Sequence, residues 1–273
     1  MVGTALAPLY VSASEKGLLG VRCRSAGFLG SSYMKFIAFF AGAALLASPA
    51  LANSFTNGGF ETLTNGAGQL TNNTVATGWT VANGGYTFAF ASGGADTTGA
   101  NGQYGNLKLW GPNDGSANGL PASSPSGGNF IAFDGAFQVQ PLQQVITGLT
   151  VGHTYSVGFD YGFAQQYGFN GATIQNWSVS FAGVTNTTAS YNLPDHGFSG
   201  WMHTSYNFVA NNAAETLSFV AFGNLPVPPF ALLDGVTVSQ ETVPEPATWA
   251  LLIGGFGAVG IAARRRRSTA VAA

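Results

Sequence analysis

The sequence predicts an all-β domain, an antiparallel β-sandwich or jelly roll, set between an N-terminal export signal and one C-terminal membrane-crossing helix. Three observations predict it. Residues 53–240 contain apolar runs alternating with period two, the mark of half-buried strands. Clusters of Gly, Asn, Pro and Ser separate these runs, and no amphipathic helix interrupts them. Only 7% of the 273 residues are charged while 13% are aromatic. Ordinary soluble domains carry about 25% charged residues, and disorder requires low hydrophobicity with high charge, so this composition points to a packed fold.

The N-terminal element begins at Met34-Lys35, which precede the apolar stretch Phe36 to Ala52. One positive charge, an apolar run and the small-residue site Ala50-Leu51-Ala52 predict a secretory signal peptide over 34–52, cleaved to leave Asn53 at the mature N-terminus. Residues 1–33 have no apolar core of their own and read as a leading segment, with translation expected to start at Met34. The single cysteine, Cys23, lies in that segment, so the mature chain is expected to have no disulfide and no thiol chemistry.

The domain at 53–240 follows. Tyr155, Val157, Phe159, Tyr161 and Phe163 alternate on one face of a predicted strand. Trp177 to Phe181 and Leu217 to Phe222 are similar, and Phe230 to Val238 is the last strand of the domain. Thr147 to His153 reads as a turn between strands, and Asn65 to Asn73 and Ser92 to Gly105 as long polar loops open to ligand. The only basic residue between 53 and 240 is Lys108, against eight acidic ones. That balance excludes a phosphate-binding nucleic-acid surface and adhesion to anionic lipid, and leaves a neutral partner such as a sugar.

Residues 241–246 form a Pro-containing linker. Ala247 to Ala263 is an uncharged apolar run at the short end for a membrane-spanning helix, and Arg264, Arg265, Arg266 and Arg267 begin a basic tail over 264–273. A positive cluster beside an apolar run stays cytoplasmic, so the helix is expected to run from outside to inside. Gly255 to Gly260 matches G-x-G-x-x-G, but an arginine block follows in place of the acidic residue that a dinucleotide site needs. Pro244-Glu245-Pro246, Trp249-Ala250, the glycine-rich run Ile253 to Gly257 and the arginine block resemble the PEP-CTERM sorting signal, in its PEPxxWA variant. The resemblance implies a Gram-negative protein exported through the inner membrane, held there as a precursor, and cut by an exosortase near Pro244-Glu245-Pro246. It would then reach the cell surface or the exopolysaccharide and biofilm matrix.

Asn57 to Glu61, Trp79, Gly128 to Asp134 and Leu233 to Val238 are similar, as a pattern, to the galactose-binding-like jelly roll of secreted carbohydrate-binding modules. The resemblance implies a structural Ca2+ with Glu61 and Asp234 as side-chain ligands. The alternative is an ordinary surface carboxylate and a turn residue. Trp110 and Tyr167 stand beside turn signals, and Gln165 begins an amide-rich stretch, so these three are the candidate sugar contacts, aromatic faces meeting C–H surfaces and amides meeting hydroxyls. Packing into the core is the competing reading for each, and the expected one for Trp177. Catalysis has little support. His153, His196 and His203 are the only histidines, and neither G-x-S-x-G nor H-E-x-x-H occurs. Asp134, Asp160, Asp195 and Glu215 qualify as glycosidase carboxylates by chemistry alone. The leading expectation is a non-enzymatic, exopolysaccharide-binding surface protein. The alternatives are a purely structural or adhesive matrix protein and a polysaccharide-active enzyme.

Overall fold

The computed structural model describes residues 53–241 and 246–269. The leading segment 1–33, the signal segment 34–52, Pro244 and Glu245 of the sorting motif, and the chain end beyond Thr269 lie outside the described residues.

The strands, in chain order, are β1 Gly68–Gln69, β2 Thr80–Val81, β3 Thr87–Phe90, β4 Ala100–Gly102, β5 Gly105–Leu107, β6 Phe130–Asp134 and β7 Leu142–Thr147. They continue with β8 Thr154–Gln165, β9 Thr173–Phe181, β10 Val184–Thr187, β11 Tyr191–Leu193, β12 Met202–Val209, β13 Ala214–Gly223 and β14 Pro229–Gln240. One sheet runs β1-β3-β6-β14-β8-β12 and a second runs β10-β9-β13-β7-β2, with β11 beside β9. Strands β4 and β5 form a separate hairpin. The long ladders, β14 with β8, β12 with β8 and β13 with β9, are antiparallel, so the predicted antiparallel sandwich is the fold observed.

The core between the sheets follows from the period-two pattern. Tyr155, Val157, Phe159 and Phe163 of β8 point into it, opposite Trp177 and Val179 of β9 and Leu217 and Phe219 of β13. Trp177 is fully buried, meets Phe133 edge-on at 5.0 Å, and donates its indole N–H to the Leu232 carbonyl at 3.2 Å. That bond joins β9 of one sheet to β14 of the other.

Strand β14 breaks the alternation. Phe230, Ala231, Leu232 and Leu233 are all buried. Ala231 and Leu233 face the core between the sheets. Phe230 and Leu232 face a second core with Phe88, Phe90 and Phe130, closed by Ala95, Ala100, Leu107, Leu109 and Leu120. The stretch between β3 and β6 therefore folds back over the outer face of the first sheet. This corrects the expectation of an open loop over Ser92–Gly105, which contains β4 and carries the buried Ala95 and Ala100. It also corrects Asn65–Asn73, where β1 pairs with β3 and Leu70 is buried. Polar composition hid both: over Ser92–Gly105 a few small apolar residues suffice to cover a sheet already rich in Phe, and over Asn65–Asn73 the one large apolar residue, Leu70, enters the core between the sheets.

The C-terminal helix, α1, spans Pro246–Thr269. It covers the expected segment, but among the described residues no helix is long and apolar enough to cross a membrane, which corrects the spanning expectation for 247–263. The uncharged run would extend roughly 26 Å at about 1.5 Å per residue, short of a hydrocarbon core of about 30 Å. Four glycines also dilute its apolarity.

Trp177→Ala is expected to destabilise the domain by about 3–5 kcal/mol, and Trp177→Phe by less, because the ring volume mostly survives while the bond to Leu232 is lost. Denaturant unfolding followed by intrinsic fluorescence checks both; equal stability of wild type and Trp177→Ala would show that this bridge does not hold the sheets.

Candidate functional site

Strands β6 and β8 end, and β3 and β14 begin, at the same end of the sandwich: Asp134 pairs with Phe230, and Gln165 with Pro229. Two aromatic groups gather there.

The first contains the residues expected from sequence. Trp110 N donates to Gln165 O at 3.0 Å and Tyr167 N to Lys108 O at 2.9 Å, so the segment after β5 is laced to the end of β8. The Trp110 indole stacks on the His196 imidazole with centroids 3.8 Å apart, and its N–H donates to Phe169 O at 2.9 Å. Its half-buried ring is thus a base for the loop, with one face taken by His196. Tyr167 lies 4.5 Å from Trp110 and is 41% exposed, with Phe169 beside it at 42%. Gln165 is corrected outright: it is 0% exposed, its Nε2 donates to Gly171 O at 2.7 Å, and its Oε1 accepts from His196 N at 2.7 Å. A buried amide with both ends engaged reaches no ligand. Asn170, whose Oδ1 lies 2.7 Å from His196 Nε2, is the exposed amide of this loop. Lys108 is paired with Asp114 and lies 4.5 Å from the Tyr167 ring centroid.

Sequence reading missed the second group as a unit. Tyr104, at the tip of the β4–β5 hairpin, and Phe137, just past β6, have ring centroids 6.0 Å apart and both touch Tyr86. Gln103 and Gln138 flank them. The signal available was the amide-rich run Phe137-Gln-Val-Gln140 just after Asp134-Gly-Ala136. Asp134 is buried below, and burial pushes its carboxyl up to about 6, partly opposed by the N–H groups of Ala136 and Phe137 that bond to it.

Glu61 and Asp234 do come together. A Cβ placed on Gly59 would lie 3.9 Å from Asp234 Oδ1 and 4.0 Å from Glu61 Oε1. Glu61 Oε1 accepts from Asn129 N at 2.9 Å and is packed so closely on Gly128 that a Cβ there would fall 1.8 Å from it. Gly128 has φ +66, so both space and backbone demand glycine. Asp234 is 0% exposed, and its Oδ2 accepts from Ser124 Oγ while Oδ1 is buried with no partner. Burial pushes its carboxyl up to about 7; bonds from Ser124 and Gly235 lower it, and the charges of Glu61 and Asp160 raise it further. An orphaned buried carboxylate oxygen beside a second carboxylate is a donor set that suits a hard cation. Among the described residues no group of three or more His, Cys, Asp or Glu converges, so further ligands would be backbone oxygens or water.

The same neighbourhood does not assemble a serine–histidine pair. His203 Nδ1 is 2.8 Å from Asp160 Oδ1, and Ser126 Oγ donates to Asp160 Oδ2 at 2.7 Å. The carboxylate stands between hydroxyl and imidazole, so the histidine does not activate the serine. Asp160 and Asp234 are ladder partners, but the buried Asp234 faces no cleft.

In α1, Trp249 is 57% exposed and Arg264 is exposed; Pro246 and Arg265 to Arg267 are part of the helix. Residues 242–267 match the PEP-CTERM protein-sorting motif. No curated protein matches the chain in sequence. Among solved structures, TmCBM61 in complex with β-1,4-galactotriose is similar at 17% identity and TM-score 0.35, over 70% of this chain and 99% of that one. The CBM22-1 xylan-binding domain of Paenibacillus barcinonensis Xyn10C is similar at 10% identity and TM-score 0.36, over 72% of this chain and all of that one. The sugar-binding C-terminal domain of EclA is similar at 18% identity and TM-score 0.32, over 48% of this chain and 88% of that one.

Proposed function

We propose that this chain is an exported protein, processed by an exosortase at Pro244-Glu245-Pro246 and delivered to the cell surface or its matrix, where it binds a neutral exopolysaccharide without acting on it. The sorting motif at 242–267 supports the address. One observation carries the ligand class: Tyr167 and Phe169 stand exposed on the Trp110–His196 base, beside Asn170, in a domain whose single cation is already paired. Aromatic rings and amides recognise sugar rings and hydroxyls. An anionic polymer would find no free positive charge on the sandwich.

Glu61 and Asp234 would hold a structural Ca2+, which would supply the positive charge that the buried Asp234 carboxylate lacks. It would tie the segment before β1 to the centre of β14.

Glu245→Ala is expected to leave a longer form retained with the cells, detected by blotting cell and medium fractions; equal release of mutant and wild type would show that the motif does not direct processing.

Calorimetric titration of the exported protein with the producing cell's exopolysaccharide is expected to show saturable binding, weakened by roughly 1–3 kcal/mol in Tyr167→Ala, by analogy with ring stacking on bases. Raising the salt should change the affinity little. An absence of heat favours a purely structural role, and release of reducing ends favours an enzyme.

Chelator should lower the melting temperature of the wild type but not that of Asp234→Ala. The sign with pH follows from the raised carboxyl. Its folded value near 7 lies above the ordinary 3.8, so in metal-free protein its favourable contribution is complete below about 4 and lost as pH rises through about 7. The chelator effect should therefore be larger at pH 8 than at pH 5.5, and a melting curve indifferent to chelator at pH 8 would rule the cation out.

A further inference from the structure

We propose that Tyr104 and Phe137 form a second sugar-stacking subsite, so that the end of the sandwich holds an elongated neutral polysaccharide segment across two aromatic patches rather than a single sugar. The inference rests on the glycan-binding reading above and names the form of the ligand.

Both rings are large, apolar and open, Tyr104 66% and Phe137 42% exposed. They are also held in place. Tyr86 lies beneath, 6.0 Å from Tyr104 and 5.4 Å from Phe137, and is itself braced edge-on against Phe88 at 4.7 Å. Asp134 Oδ1 accepts from the backbone N–H of Ala136 and Phe137 at 2.8 and 2.9 Å, which fixes the turn that presents Phe137. Gln103 N donates to Oε1 of the buried Gln69 at 2.7 Å, anchoring the hairpin that presents Tyr104. Gln138 Nε2 lies 3.4 Å from the Tyr104 hydroxyl, and Gln103 Nε2 donates to Gln138 Oε1. Rings held this way lose little conformational entropy on binding.

The chemistry around the rings selects the ligand. The flanking side chains are amides, which donate to and accept from hydroxyls, and the one carboxylate nearby, Asp134, is 2% exposed beneath the rings. A pair of open aromatic faces bordered by amides and without exposed charge complements an uncharged pyranose, apolar on its C–H face and polar at its rim.

The spacing selects a chain. Asp134 on β6 and Ala164 on β8 both pair with Phe230 of β14, so the two patches rise from strands two spacings apart, about 10 Å. Along the covering segment, Tyr104 is four residues from Lys108, whose carbonyl accepts from Tyr167 N. That bounds the Tyr104-to-Lys108 stretch of backbone at about 14 Å, and Tyr167 lies one hydrogen-bonded spacing of about 5 Å beyond Lys108. One sugar ring does not bridge such a gap, whereas a run of several does. Joining two weak contacts in one ligand raises the apparent affinity without any new interaction.

The test is calorimetric titration of the exported protein with fragments of the producing cell's exopolysaccharide, graded by length through partial hydrolysis. Wild-type affinity should rise steeply with fragment length and then level. Tyr104→Ala and Phe137→Ala should each weaken binding of long fragments by about tenfold or more and flatten the length dependence, whereas Tyr104→Phe, which keeps the ring, should retain most of the affinity. Tyr167→Ala should weaken fragments of every length. If a Tyr104→Ala, Phe137→Ala double variant binds long fragments like wild type while Tyr167→Ala does not, the second subsite is overturned and the glycan-binding reading survives. If wild type binds no fragment, both fall. If sedimentation shows that Tyr104→Ala disrupts self-association with glycan affinity unchanged, the patch is a protein contact and the proposal is likewise overturned.

Discussion

Burial of β14 on both faces is the constraint on which the rest of the domain depends. Its run Phe230 to Leu233 is excluded from water on either side, with Ala231 and Leu233 turned to the core between the sheets and Phe230 and Leu232 to the second core. The Trp177 indole N–H closes on the Leu232 carbonyl and fixes the second sheet against this strand. An antiparallel strand usually keeps one face in water. Here the segment between β3 and β6 takes the place of that water. The centre of the first sheet therefore has no free face, and exposed aromatic chemistry is displaced to its end, where the covering segment meets the tips of β6 and β8.

A strand buried on both sides is a poor place for charge, yet β6 ends in Asp134 and β14 carries Asp234. Burial raises both carboxyls, and each has a different remedy. Asp134 lies at a strand end and binds the two N–H groups of its own turn, so its cost organises the loop that displays Phe137. Asp234 lies within its strand, where only Ser124 and the Gly235 N–H approach it, and one of its oxygens finds nothing. A hydrogen-bonding neighbour suffices in the first case. In the second Glu61 adds negative charge rather than relief, and a cation would be a fitting partner.

The charge pattern separates two tasks along the chain. Within 53–240 the one cation, Lys108, is paired with Asp114 beneath the Tyr167 ring, so the groups left exposed at that end are ring faces and amides. The arginines are gathered at 264–267 instead, inside the sorting motif. Their helix is glycine-rich and leaves Trp249, Phe256 and Ile261 exposed.

Much of this was legible in the sequence. Alternation in Tyr155–Phe163 gave β8 and the face it buries, because side chains on a strand must point to opposite sides. The motif order from Pro244 to Arg267 gave the sorting signal, since it is read locally and needs no fold. The pairing of Glu61 with Asp234 was legible as a pattern, although not the orphaned oxygen that gives it chemical force. What the sequence did not determine depends on contacts between distant segments. Gln165 looked like a free amide until the turns at Gly171 and His196 closed on it, and Trp110 looked like an open ring until His196 stacked against it. Ser92–Gly105 looked like a loop because its apolar residues are small and widely spaced, and only the Phe-rich face of the first sheet makes them a core. Tyr104 and Phe137 lie more than thirty residues apart in the chain. Periodicity reports which way a side chain points; whether another part of the chain arrives to cover it is decided by tertiary packing, and that is why the strands were predictable and the exposed aromatic pair was not.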